Sequence, residues 1–257
     1  MKDVQNEKDE RNIAIDKVGV RGIRYPITVL DRMDKEQHTI ADINMYVDLP
    51  HHFRGTHMSR FIEILNEHRK NIHIDRLAAI LKQMRETFDA GSAHIEMKFP
   101  YFISKPAPVS KAEGMMDYEC TFEAVSGKDG DDAILGIKVP VMTLCPCSKE
   151  ISREGAHNQR GMVSLQIRYS QMVWIEELID IVEACASSPI YSLLKRPDEK
   201  HVTEHSYANP KFVEDVVREV AVAMNAHPKI TWYRVEAENF ESIHNHNAYA
   251  ALEKKKG

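Results

Sequence analysis

Two cysteines one residue apart, Cys145 and Cys147, stand in the segment LCPCSKEIS, and a histidine, His157, follows in GAHNQRG. A thiolate and an imidazole brought together suit Zn²⁺ or a similar divalent ion. A structural site normally closes with four protein ligands, whereas a catalytic one uses about three and keeps a position for water. Spacing alone leaves two readings open: metal ligands, or two half-buried cysteines and a surface histidine. Two later stretches add ligand types. KRPDEKH carries Glu199 in what reads as a polar loop, and ESIHNHN carries Glu241, His244 and His246. Three separate stretches rich in such residues point to a site, while His201 and His205 read as solvated surface.

Other chemistries find no motif. There is no GxxxxGK[ST] phosphate loop, no GxGxxG dinucleotide fingerprint, no HExxH zinc-protease helix and no GxSxG elbow. The zinc-deaminase pattern fails because Pro146-Cys147 is followed by Ser-Lys-Glu. The chain of 257 residues holds 34 basic and 39 acidic residues, a net charge of −5. That balance argues against nucleic acid as a partner but allows a phosphate-bearing small ligand held by local basic groups. No apolar run is long enough to span a membrane and the N-terminus lacks a secretory segment, so a cytoplasmic location is expected. In that setting the four cysteines are expected to be free thiols rather than a disulfide framework.

The elements that must position these residues follow from periodicity. Alternation from His38 to Leu49 reads as a strand, with an extended segment from Arg24 to Leu30 to pair with it. Met58, Phe61, Ile62 and Leu65 fall at helical spacing behind Thr56, and a second helix is expected from about Asp75 to Phe88. Strand alternation returns at 93–99 and 118–124. The aspartate-rich turn from Gly127 to Asp132 lacks calcium-loop spacing and reads as a turn between strands. Then come an extended run from Ile134 to Leu144, a strand through Val163–Tyr169, and a helix through Ile175–Val182. A further helix is expected to be capped at Asn209-Pro210, followed by a strand from Ile230 to Ala237 and a last short strand near Tyr249. The order is ββααββ, then ββαα and strand: an α+β chain of two similar units, 19–126 and 133–252, behind a flexible tail over 1–18.

With these pieces in view, GTHMSRF (55–61), LCPCSKEIS (144–152), GAHNQRG (155–161), KRPDEK (195–200), NPKFVEDVVR (209–218) and ENFESIHNHNAYA (238–250) together resemble the prokaryotic GTP cyclohydrolase IB family. The resemblance runs from about Gly19 to Leu252. It implies the tunnelling fold, with antiparallel sheets assembling into a barrel across the subunits of a homotetramer and two such units per chain. It implies conversion of GTP to 7,8-dihydroneopterin triphosphate and formate, feeding folate and in some bacteria queuosine synthesis, with Zn²⁺ or Mn²⁺ as the metal. By motif, Cys145, His157 and Glu199 would be metal ligands. Glu241 and His244 would lie at the same site as alternative ligands or proton carriers. Cys147 would sit near the purine, and Glu214 would anchor guanine.

On that reading a metal-bound water attacks guanine C8. Protonation of N7 by Glu214 or Cys147 makes C8 more electrophilic, a second hydration releases formate, and His244 shuttles protons. Without a phosphate loop, side chains must hold the triphosphate. The candidates are His57, Arg60, Lys149 and Arg160, with Arg153, Lys195 and Arg196 beside them. Three rivals stand against this reading. One is an archaeal-type GTP cyclohydrolase, which prefers Fe²⁺ and yields a cyclic phosphate; another is a non-catalytic zinc-binding assembly protein; the third is a purine-binding tunnelling-fold protein that has lost catalysis, against which the intact Cys145, His157 and Glu199 argue.

Overall fold

The structure, a computed structural model, describes residue 5 and residues 7–68, 77–128 and 130–256. The expected helix start at Asp75, Asp129 of the aspartate-rich turn and residues 1–4 and 6 of the tail lie outside these. The chain divides into two compact units. One comprises 1–100 with 121–135, and the other 101–120 with 136–257. The strands are β1 (Ile15–Asp31), β2 (Lys35–Leu49), β3 (Ala93–Pro106), β4 (Glu113–Gly127), β5 (Gly130–Leu144), β6 (Asn158–Tyr169), β7 (Ser188–Pro189), β8 (Ile230–Asn239) and β9 (Ala248–Lys255). The helices are α1 (Met58–His68), α2 (Leu77–Phe88), α3 (Pro146–Ile151), α4 (Ile175–Ala184), α5 (Arg196–Ala208) and α6 (Val213–Ala226). Hydrogen-bonded neighbours run β1-β2-β3-β4-β5-β6-β8-β9, with β7 on β5, and among the described residues β1 and β9 are the two ends of that path.

In the first unit, β1 and β2 form a hairpin whose turn is held by Asp31, which accepts from the N–H groups of Met33 and Asp34 at 2.8 Å each. β2 pairs antiparallel with β3 so that Ile43 faces Met97 and Met45 faces Ile95. That register puts the apolar alternates of both strands on one buried face, as the period of two demands. Helices α1 and α2 cover it with Phe61, Ile64 and Leu65 and with Leu77, Ile80, Leu81 and Met84. The rings of Phe61 and Phe88 stack at 4.3 Å and join the two helices.

The second unit repeats the logic with different residues. β6 and β8 pair antiparallel, setting Val163 against Ala237, Leu165 against Val235 and Ile167 against Tyr233. Helix α4 buries Leu178, Ile179 and Val182, and α6 buries Val216, Val217, Val220 and Met224. Each such aliphatic side chain contributes roughly 1.5–3 kcal/mol when fully buried, so these stripes fix where the helices lie on the sheet.

Three local expectations change. KRPDEKH is not a loop but the opening of α5, whose exposed polar surface carries no apolar stripe for periodicity to detect. Asn209 does not start α6; it ends α5, and its Nδ2 donates to the carbonyls of Ala186 and Ser187 at 2.9 and 3.3 Å. Helix α6 begins three residues beyond Pro210, where Asp215 accepts from Phe212 N–H at 3.0 Å. The CPCSKEI stretch also forms a short helix, α3.

A charged group lies inside the second unit. Lys105 Nζ donates to both Glu183 carboxylate oxygens at 2.6 Å and to Ile190 O at 2.9 Å, and Tyr118 OH donates to the same carboxylate at 2.9 Å. Burial pulls the Lys105 ammonium below its ordinary range, against the opposing pull of Glu183. Removing one partner leaves the other charge buried and uncompensated. Glu183→Ala is therefore expected to lower stability by about 3–5 kcal/mol in urea unfolding. The combined Lys105→Met, Tyr118→Phe and Glu183→Leu variant should lie close to the unaltered protein.

Candidate active site

The residues singled out by chemistry fall mainly at one end of the second unit, where β5 runs out and β6 begins. Cys145 closes β5 and caps α3, with Pro146 in the first turn fixing the backbone angle a helix start needs. Its backbone N–H donates to His157 O at 3.1 Å, so thiol and imidazole, far apart in sequence, leave from facing positions. Ser148 ties the pair from both sides. Its N–H donates to Cys145 Sγ at 3.4 Å, and its Oγ accepts from His157 N–H at 3.2 Å. Gly155 turns the chain into His157 at φ +129°, a conformation that a side chain would strain. Gly161 lets β6 pass close to β8, where a Cβ would meet Asn239 Oδ1 at 2.7 Å.

The ring of His157 is held as well. Its Nδ1 lies 3.2 Å from Ser242 Oγ, which leaves Nε2 to face a ligand and brings the stretch bearing Glu241 and His244 up to the imidazole. That stretch is anchored at its ends, by Phe240 N–H to Arg160 O at 2.8 Å and by Asn247 Nδ2 to Glu238 at 2.8 Å. Glu241 is half-buried and His244 exposed, its ring stacked on His246 at 5.1 Å. All four cysteines are free thiols; Cys145 is half-buried and Cys147 exposed.

Glu199 is exposed in the first turn of α5. Among the described residues no three His, Cys, Asp or Glu side chains are grouped so as to hold an ion. Cys145 and His157 are thus placed together, and Glu199 does not join them in this arrangement. The pair nevertheless fits a divalent ion by its chemistry: an accessible thiol that receives an amide hydrogen bond, and an imidazole already oriented through its other nitrogen.

The remaining candidates are spread more widely. Arg160 is exposed and lines two cavities of the second unit, of about 590 and 940 Å³. Lys149 Nζ is engaged with Tyr207 O at 2.5 Å and lies over the Tyr207 ring, which pins α3 to the end of α5. Arg153, Lys195 and Arg196 are exposed. Glu214 is exposed in the first turn of α6 and lines neither cavity. His57 and Arg60 belong to the first unit, where His57 immediately precedes α1 and Arg60 donates to Thr87 O at 3.3 Å. His201 and His205 are exposed on α5, as expected of surface residues.

Sequence reasoning passed over the residue that sets α5 in place. Asp198 is fully buried and accepts from Val109 N, Ser110 N, Ser110 Oγ and Lys195 N at 2.6–2.9 Å. The signal was there to read: proline in a first turn followed by aspartate at the third position marks a helix start.

Comparison with known proteins adds independent findings. A family model described as type I GTP cyclohydrolase folE2 matches residues 1–250. The GTP cyclohydrolase FolE2 of Geotalea uraniireducens is 61% identical, over 100% of this chain and 94% of that protein. The one of Geobacter sulfurreducens is 58% identical, over 100% and 99%. Among solved structures, uricase from Arthrobacter globiformis matches with a TM-score of 0.55 at 10% identity, covering 94% of this chain and 93% of that one. A uricase from Bacillus fastidious matches with a TM-score of 0.56 at 9% identity, covering 96% and 94%. The uricase likeness shows a shared fold.

Burial pushes the Asp198 carboxyl up, but hydrogen bonds from Ser110, Lys195 and Val109 outweigh it and hold the group well below its ordinary 3.8. A carboxyl depressed by folding stabilises the fold above its unfolded pKa and loses that contribution as pH falls through the folded value. Asp198→Asn is therefore expected to be less stable than the unaltered protein at pH 7. In denaturant unfolding the gap should hold down to about pH 4 and narrow in stronger acid.

Proposed function

The chain belongs to the type I GTP cyclohydrolase FolE2 family and is a GTP cyclohydrolase of folate biosynthesis, and we propose that it is the metal-dependent IB form, opening the guanine ring at C8 to yield formate and 7,8-dihydroneopterin triphosphate. The observation that carries the metal-dependent reading is the junction of Cys145 and His157, locked by Ser148 and Ser242.

In this reading Cys145 Sγ and His157 Nε2 hold a divalent ion, Zn²⁺ or Mn²⁺, with Fe²⁺ a further candidate. A carboxylate completes the set: Glu199 after a side-chain movement, or Glu241, which lies next in sequence to Ser242. When bound, such an ion lowers the pKa of a water and polarises the atom under attack. The chain supplies the rest. Ser242 orients the His157 ring and Ser148 orients the thiol. Cys147, exposed on α3, would sit close to the purine, and the exposed His244 would shuttle protons.

Arg160, lining both cavities, is the best-placed group to grip the triphosphate, and Lys149 would have to leave Tyr207 to assist it. For His57 and Arg60 the support is the shared motif alone. Glu214 as the guanine anchor lines neither cavity beside Arg160, which is why a second copy of the chain is proposed to complete each site. The strand path with its two ends supports the same assembly, a homotetramer of chains with two tunnelling-fold units each, 19–126 and 133–252. A cytoplasmic location and a supply to queuosine synthesis belong to this proposal too; no described helix is long and apolar enough to cross a membrane.

The test is direct. Metal-free protein reloaded with Zn²⁺, Mn²⁺ or Fe²⁺ is expected to release formate and a fluorescent triphosphate pterin from GTP. Cys145→Ala should lose nearly all turnover while its unfolding midpoint stays within a few degrees, about the shift expected of a mild surface change. A fully active, metal-loaded Cys145→Ala protein would remove Cys145 from the site. A cyclic-phosphate product would favour the archaeal-type reaction.

A further inference from the structure

Helices α1, α2, α4 and α6 each bury an apolar stripe, whereas α5 buries only Asp198 and Ser206 along its length. Apolar burial is non-directional and tolerates some sliding and turning of a helix; hydrogen bonds fix direction. The place of α5 therefore rests on polar contacts at its two ends. At its last turn Lys149 Nζ donates to Tyr207 O at 2.5 Å, and Asn209 Nδ2 donates to the carbonyls of Ala186 and Ser187. At its first turn the contacts converge on Asp198, which is 0% exposed.

The element that receives Asp198 is the loop between β3 and β4, which belongs to the same unit. Ala107 N–H donates to Ala112 O at 2.9 Å and closes the loop, with Lys111 at φ +59° and its Nζ on Pro108 O at 2.9 Å. The successive N–H groups of Val109 and Ser110 both reach Asp198 Oδ1 at 2.8 Å, an arrangement suited to an anionic oxygen. Ser110 Oγ donates to Asp198 Oδ2 at 2.6 Å and accepts from Ala112 N–H at 3.3 Å, so one hydroxyl ties the loop to itself and to the helix. Asp198 Oδ2 also accepts from Lys195 N–H at 2.9 Å, and Lys195 O accepts from the N–H groups of Asp198 and Glu199 at 2.8 and 3.0 Å. Gly114, near the start of β4, lets the approach to α5 pass close, since a Cβ there would run into Ser192 and Leu193.

Glu199 follows Asp198 directly. The direction in which its side chain leaves the helix is set by these contacts, although the carboxylate itself is exposed. No apolar face of α5 would restore that direction once the loop's grip were lost. An exposed Ser or Asp cap would start a helix equally well. A carboxylate buried under four directed donors adds a fixed orientation, which is what a metal ligand needs from its support. We propose that Ser110 is a positioning residue for the divalent ion: through Asp198 it sets the first turn of α5 so that Glu199, by turning its side chain alone, closes the set begun by Cys145 and His157.

This inference rests on the proposed metal site with Glu199 as its carboxylate, and the test separates these levels. Metal-free, full-length Ser110→Ala, Ser110→Thr, Glu199→Gln and the double variant Ser110→Ala/Glu199→Gln are titrated with Co²⁺, well below their unfolding midpoints, and read by thiolate-to-cobalt absorption. Affinity is expected to fall about tenfold or more in Glu199→Gln and on the order of tenfold in Ser110→Ala, and to recover in Ser110→Thr. Adding Ser110→Ala to Glu199→Gln should cost nothing further, because both act through one carboxylate. The midpoint of the metal-free protein should fall in Ser110→Ala and hold in Glu199→Gln. A lowered midpoint with unchanged affinity in Ser110→Ala would make Ser110 a structural residue only and overturn the proposal. So would additive losses in the double variant. Affinity indifferent to Glu199→Gln but lost in Cys145→Ser would overturn the positioning role and leave the Cys145–His157 site standing. No thiolate-to-cobalt absorption in the unaltered protein would remove the metal site, and this role with it.

Discussion

One backbone hydrogen bond, from the N–H of Cys145 to the carbonyl of His157, makes neighbours of a thiol and an imidazole that the sequence keeps apart. It joins the chain just past the end of β5 to the residue just before β6, so both side chains leave from backbone tied to the paired strands. Ser148 adds a second constraint without adding bulk, giving its N–H to the sulfur and taking the N–H of His157 on its hydroxyl. Reactive groups held at the end of a sheet in this way have little freedom left to lose when a ligand arrives, which is the condition for a precise site.

The carboxylates are positioned by a different principle. Glu199 and Glu214 sit in the first turns of α5 and α6, and what is fixed is the helix start rather than the side chain. Asp198 does this for α5 by burying a carboxylate under four donors, and Asp215 does it for α6 by capping Phe212. The exposed neighbours keep rotamer freedom. The sulfur–nitrogen pair is thus held by backbone and serine contacts, whereas these carboxylates are exposed at helix starts.

Much of this was legible in the residues. Alternation in β2, β3 and β6 and the stripes of α1, α2, α4 and α6 come from burial of one face, and burial writes a period into the sequence. The motif segments were legible too, and the Cys145–His157 pair was marked by residue type. What periodicity could not reach was α5, because its polar surface buries only Asp198 and Ser206 along the helix and so leaves no apolar repeat. Asn209-Pro210 misled for a related reason: asparagine satisfies backbone groups at either end of a helix, and here its amide reaches the carbonyls of Ala186 and Ser187.

Cobalt is the most direct reporter of the central claim, because Co²⁺ takes the place of Zn²⁺ in sulfur- and nitrogen-containing sites and a thiolate bound to it gives an intense sulfur-to-metal charge-transfer absorption. Titrating metal-free protein with Co²⁺ is predicted to produce that absorption at one ion per site in the unaltered chain and in Cys147→Ser, to lose it in Cys145→Ser, and to weaken ion affinity in His157→Ala. An undiminished absorption in Cys145→Ser, or an affinity indifferent to His157, would contradict the account.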